Sequence, residues 1–177
     1  MTYVFDAAFR PIEFSTSDGR ALLVRAFDPD DFAALVEMYK GFEPKRVAQG
    51  LPPPDVPRIA QWLDRLQTKS RSLLALDGKR VVGHVILCPI SEASVEYTIF
   101  VHQDYRQRGV GTALTRLALA WVSEVGFADV FLTTELSNVP ALNLYRKFGF
   151  QTQSVFGDEC EMKVNVVRRA KSLPRAA

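Results

Sequence analysis

The chain has 177 residues, 47% hydrophobic and 24% charged, the size and make-up of one globular domain, which excludes fibrous, collagen-like and disordered sequence. Its 22 basic and 20 acidic residues leave a net charge of +2, so no single-sign field points to nucleic acid or a membrane surface as a partner. A small ligand or a local site is the expectation.

In chain order, Ser17-Asp18-Gly19-Arg20 is a turn signal between residues 12–15 and 21–26 and predicts an opening hairpin. Asp28-Pro29-Asp30-Asp31 predicts a helix start: Asp28 caps, Pro29 sits in the first turn without losing a needed donor, and the acidic pair suits the positive end of the helix dipole. That helix runs to about Lys40 and stops at Gly41. The stretch from Phe42 to Pro57 holds Glu43-Pro44-Lys45-Arg46 and Leu51-Pro52-Pro53-Pro54; it is too long for a simple connection and is either a lid near a site or a surface loop.

Ile59, Trp62, Leu63 and Leu66 have the spacing of an amphipathic helix over residues 56–69. Residues 71–76 and 80–87 are apolar runs about Asp77-Gly78, a hairpin signal, and Ser94–Val101 is a further strand. Val110, Leu114, Leu117, Ala118, Trp121 and Val125 recur at helical spacing before Gly126. A short buried strand follows at 128–133. Asn138 caps another helix with Pro140 in its first turn and Gly149 at its end, and strands follow at 150–156 and 159–166. The order predicts a mixed α/β (α+β) sheet domain over residues 21–167, with residues 1–20 as a lead carrying an extra strand and a frayed basic tail at 168–177. Cys88 and Cys160 are too few for a disulfide framework and read as reduced thiols. With neither a signal peptide nor a run of about 20 apolar residues, the expectation is a soluble, cytoplasmic protein.

The stretch from Val101 to Leu114 carries most of the chemistry. A strand leads through Arg106-Gln107-Arg108-Gly109-Val110-Gly111-Thr112 into a helix, so main-chain N–H groups and the positive helix end converge on one point, which favours a phosphate. Gly109 and Gly111 clear space for an anion near the main chain, and Arg106 and Arg108 add charge. The loop lacks the Lys-Ser/Thr ending of a P-loop and the third glycine of a dinucleotide fingerprint. Further on stands Asn138-Val139-Pro140-Ala141-Leu142-Asn143-Leu144-Tyr145-Arg146-Lys147-Phe148-Gly149-Phe150, each residue ordinary alone: Asn138 a cap, Tyr145 a core aromatic.

In this order and spacing the two segments resemble the GNAT superfamily of N-acetyltransferases: the first its Arg/Gln-x-x-Gly-x-Gly/Ala pyrophosphate loop, the second its Asn-x-x-Ala-x-x-x-Tyr-x-x-x-Gly-Phe helix. The matched core runs from about Ser94 to Phe150, and the element order agrees back to about Leu22. The resemblance implies a single domain with a central, mostly antiparallel, splayed sheet flanked by about four helices. It implies acetyl-CoA as cosubstrate, with the pantetheine arm along Ile99, Phe100 and Val101, the pyrophosphate on the N–H groups of Gln107, Arg108, Gly109, Val110, Gly111 and Thr112, and Asn138 against the arm. Tyr145 takes the position whose hydroxyl lies near the thioester sulfur, where it donates a hydrogen bond or proton to the leaving thiolate.

The implied reaction is direct attack of a neutral primary amine on the thioester, with a main-chain N–H near Val101 stabilising the oxyanion. A base must take the amine's proton: Glu96 is the first candidate, an outward-facing strand glutamate being the alternative, with Glu135 next and Glu92 third. No metal is implied. His84 and His102 lack partner spacing and read as structural, and Cys88 reads as a small buried hydrophobe. Phe42, Trp62 and Gly50-Leu51-Pro52 fall where the family places its acceptor-binding helices and their connection. The implied acceptor is a small amine, a lysine or a protein N-terminus; the stretch from Asp18 to Asp31 looks like the start of bacterial protein-acetylating members. A homodimer is left open as the assembly. Two other readings stand beside the enzyme: a non-catalytic acyl-CoA-binding regulatory domain of the same fold, and a nucleotide-binding protein using the same loop.

Overall fold

The computed structural model describes residues 8–44 and 52–167; the basic tail at 168–177, Lys45, Arg46, Gly50 and Leu51 lie outside the described residues. The chain runs β1 (Ile12–Ser15), β2 (Ala21–Ala26), α1 (Phe32–Lys40), α2 (Val56–Gln67), β3 (Arg71–Asp77), β4 (Arg80–Pro89), β5 (Ser94–Val101), α3 (Val110–Val125), β6 (Asp129–Glu135), α4 (Val139–Lys147), β7 (Gln151–Phe156) and β8 (Glu159–Asn165).

Local chemistry sets the element ends. Asp28 caps a 3₁₀ turn at Pro29–Asp31 that leads into α1, and Asp31 reaches back to the Asp28 N–H at 2.8 Å, a reciprocal cap. Asp55 accepts from the Arg58 N–H at 3.0 Å to start α2, and Asn138 does the same for α4 from Ala141 at 3.3 Å. The β3–β4 turn differs from expectation by one position: Asp77 pairs with Arg80, so Gly78 and Lys79 are its central residues. Cross-strand pairing extends β3 by one residue, Asp77, at the turn, and β4 by two, Cys88 and Pro89, at its far end, which turn chemistry alone does not locate.

The strands form one sheet in the order β1-β2-β3-β4-β5-β6-β8-β7. Only β5 and β6 run parallel; the rest pair antiparallel. Helices cover both faces, giving two cores. On one face Leu35, Met38, Tyr39, Ile59 and Leu63 from α1 and α2 pack on Leu74, Ile86 and Phe100. On the other, Val110, Leu114, Ala118 and Trp121 of α3 and Leu142 and Tyr145 of α4 pack on Val85, Val95, Tyr97 and Val130. Period-two alternation in β5 sends Tyr97 to one core and Phe100 to the other. Gly83 of β4 lets α3 lie directly on the sheet: a Cβ there would come within 2.7 Å of Leu114 Cδ1. The N-terminus of α3 is thereby brought against the end of β5.

Candidate active site

Parallel strands β5 and β6 pair through Ser94–Asp129, Val95–Val130 and Glu96–Phe131 and no further. Beyond Glu96 they separate, leaving an open strand edge. His102 donates its N–H to the Val82 carbonyl at 2.9 Å, on the β4 side, while the Ala93 carbonyl accepts from Ala128 and Asp129 at its other side. Alternation along the strand therefore turns the main-chain groups of Ile99 and Val101 into the gap. The gap is a cleft of about 640 Å³, within the range of small-ligand sites. Phe42, Pro44 and Phe100 form an apolar wall, and Ala141, Leu144 and Tyr145 of α4 line it from the other side.

One end of the cleft is the loop from β5 to α3. Gln107 has φ 57 and Gly109 φ 87, both left-handed. A non-glycine residue in that region costs about 1–2 kcal/mol, so surrounding contacts impose the loop's shape. Among the described residues, none of the main-chain N–H groups of residues 107–112 finds a protein acceptor. Left-handed turns followed by a helix start curl these donors inward, and the helix dipole adds positive potential, an arrangement whose chemistry suits an anion.

The side chains of this loop depart from the sequence expectation. Arg106 lines the cleft, but its Nε donates to the Val101 carbonyl at 2.9 Å, one Nη donates to the Glu43 carbonyl, and its guanidinium lies 5.1 Å from the Phe42 ring centroid. Arg108 points away, paired with Asp18. Val110 is buried and offers only its N–H. The two arginines brace the loop through the Val101 and Glu43 carbonyls and the Asp18 carboxylate. Gly109 is favoured by its φ, whereas a Cβ at Gly111, which lines the cleft, would meet Leu144 Cδ2 at 3.4 Å, an ordinary van der Waals contact.

Tyr145 is buried, its ring held 6.3 Å from Tyr97 and 5.7 Å from Phe150. Its hydroxyl has no partner among the described residues, yet no buried side-chain polar atom there is orphaned; the hydroxyl therefore opens into the cleft that the residue lines. Burial pushes its pKa up to about 12, keeping the phenol protonated.

The sequence model of the acetyltransferase (GNAT) family matches residues 22–150. The chain belongs to this family. It is similar to an N-alpha-acetyltransferase of Sulfurisphaera tokodaii, 42% identical over 59 residues, 33% of this chain and 35% of that protein. The alignment thus spans about a third of the length of that curated relative. Its fold is similar to that of the GNAT domain of S. lividans PAT, with a TM-score of 0.73 at 17% identity, covering 88% of this chain and 96% of that one. It is also similar to a GNAT phosphinothricin acetyltransferase from Sinorhizobium meliloti in complex with AcCoA, with a TM-score of 0.67 at 19% identity, covering 80% and 86%.

Within this GNAT cleft the structure brings together Ile99, Phe100, Val101, Arg106, Gln107, Gly109, Gly111, Thr112, Asn138 and Tyr145. Glu96 is not among the lining residues: it is exposed on β5 opposite Cys88. Glu135 does line the cleft, accepting from Ser137 Oγ at 3.1 Å, because β6 splays its end towards α4. Phe42 lines it too, and Trp62 stands behind against Tyr39 and Phe100, at 5.1 and 6.0 Å. His84 is buried between Tyr39 and Ser72, and His102 caps the 3₁₀ turn Gln103–Tyr105; both are structural. Burial, then Glu96, raises the Cys88 thiol pKa, which suppresses its thiolate. Among the described residues no group of His, Cys, Asp or Glu is placed to hold a metal ion, and no helix is long and apolar enough to cross a membrane.

Sequence reasoning missed Gln103, whose amide donates to the Gly41 carbonyl at 2.7 Å and accepts from the Glu43 N–H at 3.1 Å. With Arg106 it fastens the end of α1 to the GNAT anion loop. Nothing in its local sequence separates it from a solvated surface glutamine.

Proposed function

We propose that this chain transfers the acetyl group of acetyl-CoA to a primary amine by direct attack. One observation carries the reading: the N–H donors of residues 107–112, unpaired among the described residues, the open strand edge at Ile99 and Val101, and the Tyr145 hydroxyl share a single cleft. A diphosphate fits the first, an extended amide-bearing arm pairs with the second as an added strand, and a sulfur leaving group fits the third. Acetyl-CoA supplies the activated acyl group. The residues of the chain hold and polarise it.

The Val101 N–H faces the gap and is fixed by the β4–β5 ladder; on this reading it stabilises negative charge on the thioester carbonyl oxygen with no reorganisation cost, while the Ile99 main chain, about 7 Å further along the strand, pairs with the arm. Tyr145 faces an alkyl thiolate whose ordinary pKa is near 8.5. From a phenol at about 12, complete proton transfer is uphill by about 3.5 units, or about 5 kcal/mol. Tyr145 therefore acts as a hydrogen-bond donor to the developing thiolate, and solvent protonates it afterwards. An alkylammonium acceptor must lose a proton before attack, and Glu135, the carboxylate in the lining, is placed to attract it and take that proton through water. The name of the N-alpha-acetyltransferase relative supports an amine acceptor.

The test has two stages. Isothermal titration is expected to show CoA binding at about micromolar strength, and no binding at millimolar concentration refutes the reading. CoA release is then measured over a panel of amines and lysine peptides. Tyr145→Phe is expected to lower kcat about tenfold or more while leaving CoA affinity within twofold. Full turnover in that variant removes the assigned role, and binding without CoA release for any amine favours the non-catalytic acyl-CoA-binding domain.

A further inference from the structure

The turn between β1 and β2 lies outside the stretch that matches the family, yet it grips the anion loop. The Ser17 N–H donates to the Arg108 carbonyl at 3.1 Å, and the Arg108 guanidinium pairs with Asp18, 90 positions away. Arg20, at the far end of the turn, lies 5.4 Å from the Tyr105 ring centroid and donates to its hydroxyl at 3.3 Å, while that hydroxyl donates to Asp77 at 2.6 Å. The turn is stiff in its own right: Thr16 Oγ1 donates to Asp18 at 2.5 Å, and the Arg20 N–H donates to Thr16 Oγ1 at 3.0 Å. Arg108 sits between the left-handed residues Gln107 and Gly109. Its main chain and side chain are thus both held at the point where the loop must keep an unfavourable shape.

We propose that Asp18 is a positioning residue for donor binding: through Arg108 it keeps residues 107–112 curled in the shape that receives the diphosphate of acetyl-CoA. The inference rests on the acetyl-CoA reading above. The opposite role is well defined. If Arg108 served the diphosphate directly as a cation, Asp18 would compete for it, and removing Asp18 would free the guanidinium and tighten binding.

CoA titration of the wild-type chain, Asp18→Ala, Asp18→Asn, Arg108→Ala and the double variant Asp18→Ala/Arg108→Ala tests the sign. Asp18→Ala is expected to weaken CoA binding about fivefold, the upper end for a partly exposed pair, and Asp18→Asn, which keeps an acceptor oxygen, to recover part of the loss. In the Arg108→Ala background, Asp18→Ala is expected to add nothing. Acetylpantetheine, which lacks the diphosphate, is expected to give the same kcat/KM with wild type and Asp18→Ala, a result that a general loss of fold does not produce. Unchanged or tighter CoA binding by Asp18→Ala overturns the proposal, as does an equal loss with acetylpantetheine. A wild-type chain that binds no CoA overturns the acetyl-CoA reading and this proposal with it; wild-type binding with an indifferent Asp18→Ala overturns this proposal alone.

Discussion

Acid is expected to destabilise this fold through one buried imidazole. His84 of β4 has Nδ1 2.6 Å from the Tyr39 hydroxyl and Nε2 2.9 Å from Ser72 Oγ, under α1 and away from water. Desolvation lowers its pKa from the ordinary 6.5 to about 3. Between those values the unfolded chain binds a proton that the folded chain refuses, so stability rises with pH across the window. It is complete above about pH 6.5 and lost progressively as the pH falls towards 3. Each unit below 6.5 costs about 1.4 kcal/mol, so His84 alone makes the chain about 2 kcal/mol less stable at pH 5 than at pH 7. His102, its pKa also lowered, by burial first and then by Arg80, acts in the same direction. The difference between wild type and His84→Phe isolates the effect. Urea unfolding followed by circular dichroism at pH 7, 6 and 5 measures it. The variant is expected to be less stable at pH 7, since Tyr39 and Ser72 lose a partner, but flatter in its pH dependence by about 2 kcal/mol. Two parallel curves refute the reasoning.

Gly83→Ala is expected to destabilise by about 1–3 kcal/mol, because its Cβ would lie 2.7 Å from Leu114 Cδ1 and 3.3 Å from Val110 Cγ1; calorimetry that finds an unchanged Tm shows that α3 slides freely over the sheet. Glu135→Gln is expected to lower kcat/KM, with Glu96→Gln near wild type, since Glu135 lines the cleft and Glu96 does not. The reverse ranking, read from initial rates between pH 6 and 9, returns the base role to Glu96.

The elements were legible because their signals are local. Asp28, Asn138 and Gly126 mark helix ends through hydrogen bonds and backbone angles that span three or four residues, and strand alternation at Ser94–Val101 follows from a period of two. The loop's shape was equally legible: Gly109 before an apolar helix and Gly111 in its first turn mark the helix start, whose first main-chain donors have no acceptor within the helix. Side-chain roles in the loop were not. Local sequence shows that Arg106 and Arg108 are cations beside a glycine loop, but their partners, Glu43, Val101 and Asp18, lie on other elements. Glu96 against Glu135 is the same case: both are strand glutamates, and only the separation of β5 from β6 decides which reaches the cleft.

The sequence by itself determined the order of strands and helices, the glycine loop leading into α3, and the pairing of that loop with the Tyr145 helix that marks the family. Those depend on contacts within a few residues and on the spacing of two motifs. Tertiary structure alone decided which main-chain groups of β5 face the gap, that Tyr145 opens its hydroxyl into it, and that a turn near residue 18 braces a loop near residue 108. Such facts depend on where distant segments are brought by sheet pairing and by close approaches such as Gly83 to Leu114, distances that no local pattern encodes.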